Sequence, residues 1–177
     1  MNNGESQSLN ERETSMNKLY FKLPNWLDLS DRQELSQLAG IVDWEYGRQG
    51  TGYEKSDIKQ LKYAKWIIRK ALGMISNPEQ YDAWLIRCPI GSDIPLHVDP
   101  AVEGMCHVRL NALVNTGEGG LLFLGDEEQI LSDGDAYVFR PDIIPHRVTA
   151  ISSGVRLALS VGANIDYEQA HSIGLEK

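Results

Sequence analysis

The chain has 177 residues, 42% of them hydrophobic and 24% charged, which suits one soluble globular domain with an adequate core. Its formal net charge of −8 argues against a phosphate-backbone partner, because nucleic-acid binding normally needs a basic face. The cysteines, Cys88 and Cys106, match no zinc spacing and indicate no disulfide framework, so a reducing, cytoplasmic setting is expected, and no apolar run is long enough to span a membrane.

Met1 to Asn17 is rich in Asn, Ser, Glu and Gln. It has no apolar core, so it does not read as a signal peptide; a disordered tail is expected. The folded domain is expected over residues 18–165. Lys18 to Leu23 has the pattern of a strand stopped by Pro24. Ser30-Asp31-Arg32-Gln33 has the form of a capping box, and Leu35, Leu38 and Val42 continue one helical face. Gly47 to Tyr53, with glycines at 47, 50 and 52, reads as a loop able to cover a site. A second helix is expected from a Ser56 cap through Ile58, Leu61, Ala64, Ile68, Ala71, Leu72 and Ile75, ending at Asn77-Pro78. Tyr63 and Trp66 in it read as packing residues.

After Pro78 the chain becomes a series of short apolar runs separated by turn residues. The runs are 83–87, 94–99, 108–114, 121–124, 129–131, 136–139, 147–151 and 155–161. Eight short strands at this spacing predict a mainly β, double-sheet jelly roll or cupin-like barrel, with the two preceding helices packed outside one sheet. Residues 166–177 read as a polar end, in which His171 has no assigned role.

Chemistry concentrates at Ile94-Pro95-Leu96-His97-Val98-Asp99. In an extended segment, residues two apart share a face, so His97 and Asp99 project together. His146, stiffened by Pro141 and Pro145 before it, can reach the same cavity and complete two histidines and one carboxylate. That set leaves coordination positions open on a non-haem Fe(II) ion. Arg156 follows across the Ser152-Ser153-Gly154 turn, on a strand expected to neighbour that of His146. A guanidinium inside a barrel needs compensation, from one of the 25 acidic residues or from a bound anion.

The ordered set His97-x-Asp99, Glu118-Gly119-Gly120-Leu121-x-Phe123, Gly134-Asp135-Ala136-x-Val138-Phe139, His146-x-Val148 and Arg156 resembles the Fe(II)- and 2-oxoglutarate-dependent oxygenase superfamily. Within it, the prolyl-hydroxylase-like group is most similar, over roughly residues 81–164. The resemblance implies a double-stranded β-helix core. It implies Fe(II) held by His97, Asp99 and His146, and 2-oxoglutarate held through its distal carboxylate by Arg156. It implies O2 as oxidant and hydroxylation of a C–H bond with release of succinate and CO2. A peptide or protein side chain, or a small molecule such as an amino acid, is the implied substrate.

The chain departs from that pattern in one place. Cys88 stands where related hydroxylases often carry a tyrosine that helps to hold 2-oxoglutarate, so another group must contribute. Arg109 and Asn111, two apart on one strand face, are the candidates, with Arg109 directed to substrate or to the keto-acid end; the alternative is that both face solvent. Cys106-His107 is a weaker metal suggestion. Two other readings stand beside the oxygenase: a non-catalytic jelly-roll module, and a cupin-type metalloenzyme that gives Arg156 no co-substrate. Residues 47–53 and 100–106 are the expected lids. The oligomeric state is not set by any sequence feature.

Overall fold

The computed structural model describes residues 19–47 and 52–176; the expected tail over residues 1–17 and the centre of the first lid loop lie outside the described residues. In chain order the elements are β1 (Tyr20–Leu23), α1 (Leu29–Ala39), β2 (Glu45–Tyr46), β3 (Glu54–Asp57), α2 (Lys65–Met74), β4 (Asp82–Cys88), β5 (Ile94–His97), β6 (Cys106–Asn115), β7 (Leu122–Leu124), β8 (Glu127–Gln129), β9 (Ala136–Phe139), β10 (His146–Val148), β11 (Arg156–Ile165) and α3 (Tyr167–Ser172). A seven-stranded antiparallel sheet, in the order β1-β9-β6-β11-β4-β3-β2, faces a four-stranded one, in the order β5-β10-β7-β8. This is the double-sheet jelly roll that the run spacing predicts, and strands β4 to β11 correspond to the eight expected runs, although β8 shares only Gln129 with the expected 129–131.

Alternation along the major sheet explains its two faces. Ala83 and Leu85 of β4, Val108, Leu110, Ala112 and Val114 of β6, and Leu157, Leu159 and Val161 of β11 join Leu35 and Leu38 of α1 and Ile67, Ile68 and Ala71 of α2 in one buried cluster. Each of these leucines and isoleucines, fully withdrawn from water, contributes about 1.5–3 kcal/mol. The intervening residues of the same strands face the other sheet, where Leu122, Leu124, Tyr137, Phe139, Ile144 and Val148 form a second, smaller cluster.

Four local expectations are corrected. The cap of α1 is Asp28, whose carboxylate accepts from the Asp31 backbone N–H at 2.8 Å while Asp31 returns the bond to the Asp28 N–H at 3.2 Å; Ser30 lies inside the helix. Ser56 is not a helix cap but the third residue of β3, paired with Leu85. Ile58 mimics the start of a helical face because it is fully buried, yet its N–H still bonds the Ala83 carbonyl at 3.0 Å, and α2 begins only at Lys65. Of the two aromatic residues assigned to packing, Trp66 is packed against the core but Tyr63 is 79% exposed. Beyond β11, the polar end carries α3, closed by an Asp166–Gln169 capping box, with Ala170 and Leu175 buried. No described helix is long and apolar enough to cross a membrane.

Candidate active site

The minor sheet brings the two histidines together directly. His97 ends β5 and His146 begins β10, and they are paired partners across the two strands, with ring centroids 4.1 Å apart. Each ring is oriented from behind by its own chain. His97 Nδ1 faces the Pro95 carbonyl at 2.7 Å and His146 Nδ1 faces the Ile144 carbonyl at 3.1 Å. A carbonyl only accepts, so the proton sits on Nδ1 in both and Nε2 presents a lone pair. Asp99 follows β5, and its N–H bonds the Pro141 carbonyl at 2.9 Å. The turn that delivers His146 therefore also anchors Asp99, and the Arg140–Asp142 pair, at 2.9 and 2.7 Å, stiffens that turn. Ligand atoms of His97, Asp99 and His146 all lie within 4.8 Å of one another, the one such His/Cys/Asp/Glu group among the described residues. Burial, and then the neighbouring His97, holds His146 below the usual imidazole range, so it is neutral, as a metal ligand must be. Phe139 packs its ring against His146 with centroids 5.0 Å apart.

The major sheet supplies the opposing wall. Arg156 opens β11 and is 4% exposed, opposite Cys88 in register. Contrary to expectation, it does not neighbour His146 in a sheet: β10 belongs to the minor sheet and β11 to the major one. The segment after Val148 crosses between sheets, as successive strands of a jelly roll do. Arg156 donates to the Gly120 carbonyl at 3.3 Å and stands beside the Tyr137 phenol, and it has no ion-pair partner among the described residues. Asn111 of β6 faces inward and donates to the Tyr137 hydroxyl at 2.9 Å, while its own Oδ1 is buried without a partner. Burial raises the Tyr137 phenol, Arg156 opposing, so this hydroxyl keeps its proton. Burial raises the Cys88 thiol to about 11, again with Arg156 opposing, which leaves it a neutral packing group.

Arg109 also faces inward, at the other end of the sheet. Its two Nη atoms fork onto Asp82 at 2.8 and 3.0 Å, and Nη1 also donates to Ser160 Oγ at 2.9 Å. Along β11 its register partner is Gly162, six positions from Arg156, about 20 Å of extended chain. Asn111 and Arg156 both reach Tyr137, whereas Arg109 stands near Asp99. His107, the weaker metal suggestion, lies 3.4 Å from Arg109 Nη2, and burial, then Arg109, pushes its imidazole down; it is outside the His97–Asp99–His146 group. A cavity of about 260 Å³ opens at His97 and Asp99, lined also by Tyr53, Lys55 and Ile94. Of the second expected lid, Val102 is tied to Asn164 by a 3.0 Å bond.

Tyr137 and Asp82 are the site residues that sequence reasoning missed. In Ala136-Tyr137-Val138-Phe139 every residue is buried, so no alternation marks Tyr137 as facing the cavity. Its pairing with Asn111 is a property of register.

No protein-family model and no curated protein matches this sequence. Solved structures do match in fold. A prolyl-4-hydroxylase from Pseudomonas putida aligns with a TM-score of 0.63 at 18% identity, over 84% of this chain and 92% of that one. A prolyl hydroxylase from Trichoplax adhaerens, solved with a hypoxia-inducible-factor peptide fragment, gives 0.66 at 16% identity, over 87% and 86%. HygX from Streptomyces hygroscopicus, solved with nickel, 2-oxoglutarate and hygromycin B, gives 0.68 at 9% identity, over 82% of each chain. The fold is the double-stranded β-helix that these 2-oxoglutarate-dependent oxygenases share.

Proposed function

We propose that the chain is an Fe(II)- and 2-oxoglutarate-dependent oxygenase that hydroxylates a C–H bond of a peptide side chain or of a small molecule such as an amino acid. His97, Asp99 and His146 would hold the iron. Bound there with 2-oxoglutarate and O2, it supplies the oxidising chemistry, with succinate and CO2 as by-products. The chain's own residues bind, orient and shield. His97 and His146 keep Nε2 free by donating Nδ1–H to backbone carbonyls. Arg156 takes the distal carboxylate of 2-oxoglutarate, with the protonated Tyr137 hydroxyl as a second donor in place of the phenol that Cys88 lacks. Phe139, packed against His146, and the apolar cluster behind it keep water from the metal end of the cavity.

The observation that carries the reading is the buried Arg156, which has no ion-pair partner among the described residues. A buried guanidinium with no carboxylate partner is costly unless an anion arrives, and this one faces a wall that holds a metal-ligating triad. The test separates a structural arginine from a receptor. With 2-oxoglutarate and Mn(II) in place of iron, the wild-type melting temperature is expected to rise, by about 2.7 kcal/mol of stabilisation at a hundred times the dissociation constant. Arg156→Met is expected to abolish the 2-oxoglutarate increment while leaving the ligand-free chain as stable as before, or more so. A ligand-free Arg156→Met protein destabilised by several kcal/mol, with its 2-oxoglutarate response intact, would show a structural arginine and remove the assignment. Cytoplasmic location is proposed on the free, buried cysteines.

A further inference from the structure

Arg109 has one N–H that its partners do not explain. Its two Nη atoms are engaged by Asp82 and Ser160, whereas Nε is buried without a hydrogen-bond partner. That atom lies beside Asp99: Nε is 3.6 Å from Asp99 Oδ2. The other carboxylate oxygen, Oδ1, faces His97 Nε2 at 3.7 Å, on the side where the three ligand atoms converge. The two oxygens of Asp99 therefore have different surroundings, one toward the triad and one toward a fixed cation.

The guanidinium is held there by a seat in the sheet. Gly162 of β11 lies between Asp82 of β4 and Arg109 of β6 in register. A Cβ on Gly162 would stand 2.7 Å from both Cζ and Nη2 of Arg109. The backbone of Gly162 is not left-handed, so glycine is required by the flat guanidinium lying on it and not by its own dihedrals. A bare strand position, a carboxylate clamp and an unspent N–H together describe a device that aims a charge.

We propose that Arg109 is a positioning residue for the metal site: seated on Gly162 and clamped by Asp82, it holds Asp99 Oδ2 through Nε and leaves Oδ1 as the single oxygen offered to the ion. This rests on reading His97, Asp99 and His146 as the iron ligands. At 3.6 Å the contact is an ion pair and not a hydrogen bond; loss of an outer partner that orients a metal ligand typically costs about 10–100-fold in metal affinity.

The experiment measures Mn(II) binding to the full metal-free chain, counting free Mn(II) by its electron paramagnetic resonance signal, for wild type, His97→Ala, Arg109→Gln and Gly162→Ala. Thermal melts of each metal-free protein are taken alongside. The expected result is tight binding in wild type, loss in His97→Ala, and weakening by about 10–100-fold in Arg109→Gln with an unchanged metal-free melt. Gly162→Ala keeps the arginine and displaces only its flexible end, so it is expected to weaken binding in the same direction, and it decides the matter if Arg109→Gln does not fold. Wild-type affinity in Gly162→Ala and in folded Arg109→Gln overturns the role of Arg109 and leaves the triad standing. Weak binding in wild type, unchanged in His97→Ala, overturns the triad itself, and Arg109's role with it.

Discussion

Burial, followed by the neighbouring His97, holds the His146 imidazole at about 4 instead of 6.5, which makes acid a reagent against the site. As pH falls below 6.5 the unfolded chain takes up this proton and the folded chain does not, so the folded state loses stability down to about pH 4. The part due to His146 is therefore fully present above pH 6.5 and amounts to on the order of 3 kcal/mol. Unfolding free energy of the metal-free chain, measured by urea titration between pH 7 and pH 4.5, is expected to fall steeply in wild type and more gently in His146→Gln. Parallel slopes would place the depressed titration elsewhere. The His146 contribution to metal affinity should hold through this window and decline only as pH falls toward 4, because ligation needs the neutral ring and the folded ring stays neutral until then. At this scale the sequence was informative wherever a residue's role follows from its own chemistry and local spacing. His97-x-Asp99 projects to one side in any extended segment, and Arg156 needs an anion wherever it is buried. It was silent on Tyr137 and Asp82, whose roles come from strands that lie beside them only after folding.

Element boundaries turn on single hydrogen bonds, and α1 gives a direct case. Asp28 accepts from the Asp31 N–H with the reciprocal bond in place, two residues earlier than the Ser30-to-Gln33 spacing suggests. Asp28→Ala is expected to cost about 1 kcal/mol, whereas Ser30→Ala, inside the helix, should be neutral or slightly favourable by propensity; urea denaturation distinguishes them, and the opposite ranking would restore the sequence-based cap. Both segments satisfy the same pattern, and what selects Asp28 is where the chain leaves β1 and the Leu27 N–H meets the Gly134 carbonyl at 2.9 Å. The strand β3 escaped notice for a related reason. Glu54-Lys55-Ser56-Asp57 has no apolar alternation, because a polar strand near a sheet edge is held by its ladder to β4 and by the Arg87–Glu54 bond at 2.6 Å. Most of the eight later strands were legible because they carry their own apolar runs and turn residues; β8, Glu127-Glu128-Gln129, has none and was placed two residues late. The sheet to which each belongs was not legible, which is why His146 and Arg156 were expected side by side and lie on different sheets.

The two sheets are unequal, and the proposed metal site sits on the weaker one. The seven-stranded sheet buries one face under α1 and α2 and carries the larger core. The four-stranded sheet has strands of three or four residues, and its edge strand β5 meets β10 through two paired positions with a register shift between them. Local opening in a folded protein starts where ladders are short and the apolar cover is thin. Residues 94–99 are therefore expected to exchange their amide hydrogens well ahead of β11 in the metal-free chain. An ion held by His97 at the end of one strand, by Asp99 just beyond it and by His146 on the next would staple that weak seam. Hydrogen exchange with and without Mn(II) at a hundred times its dissociation constant should slow residues 94–99 and 146–148 by up to about a hundredfold, or 2.7 kcal/mol, with much smaller changes in β4, β6 and β11. Equal slowing across both sheets would mean that the seam opens only by global unfolding. No slowing at residues 94–99 would mean that the ion binds elsewhere. The selective pattern would tie the chemistry to the architecture: the major sheet would be stable without ligand, presenting Arg156, Tyr137 and Asn111 already in place, and the minor sheet would complete its order only on binding the ion.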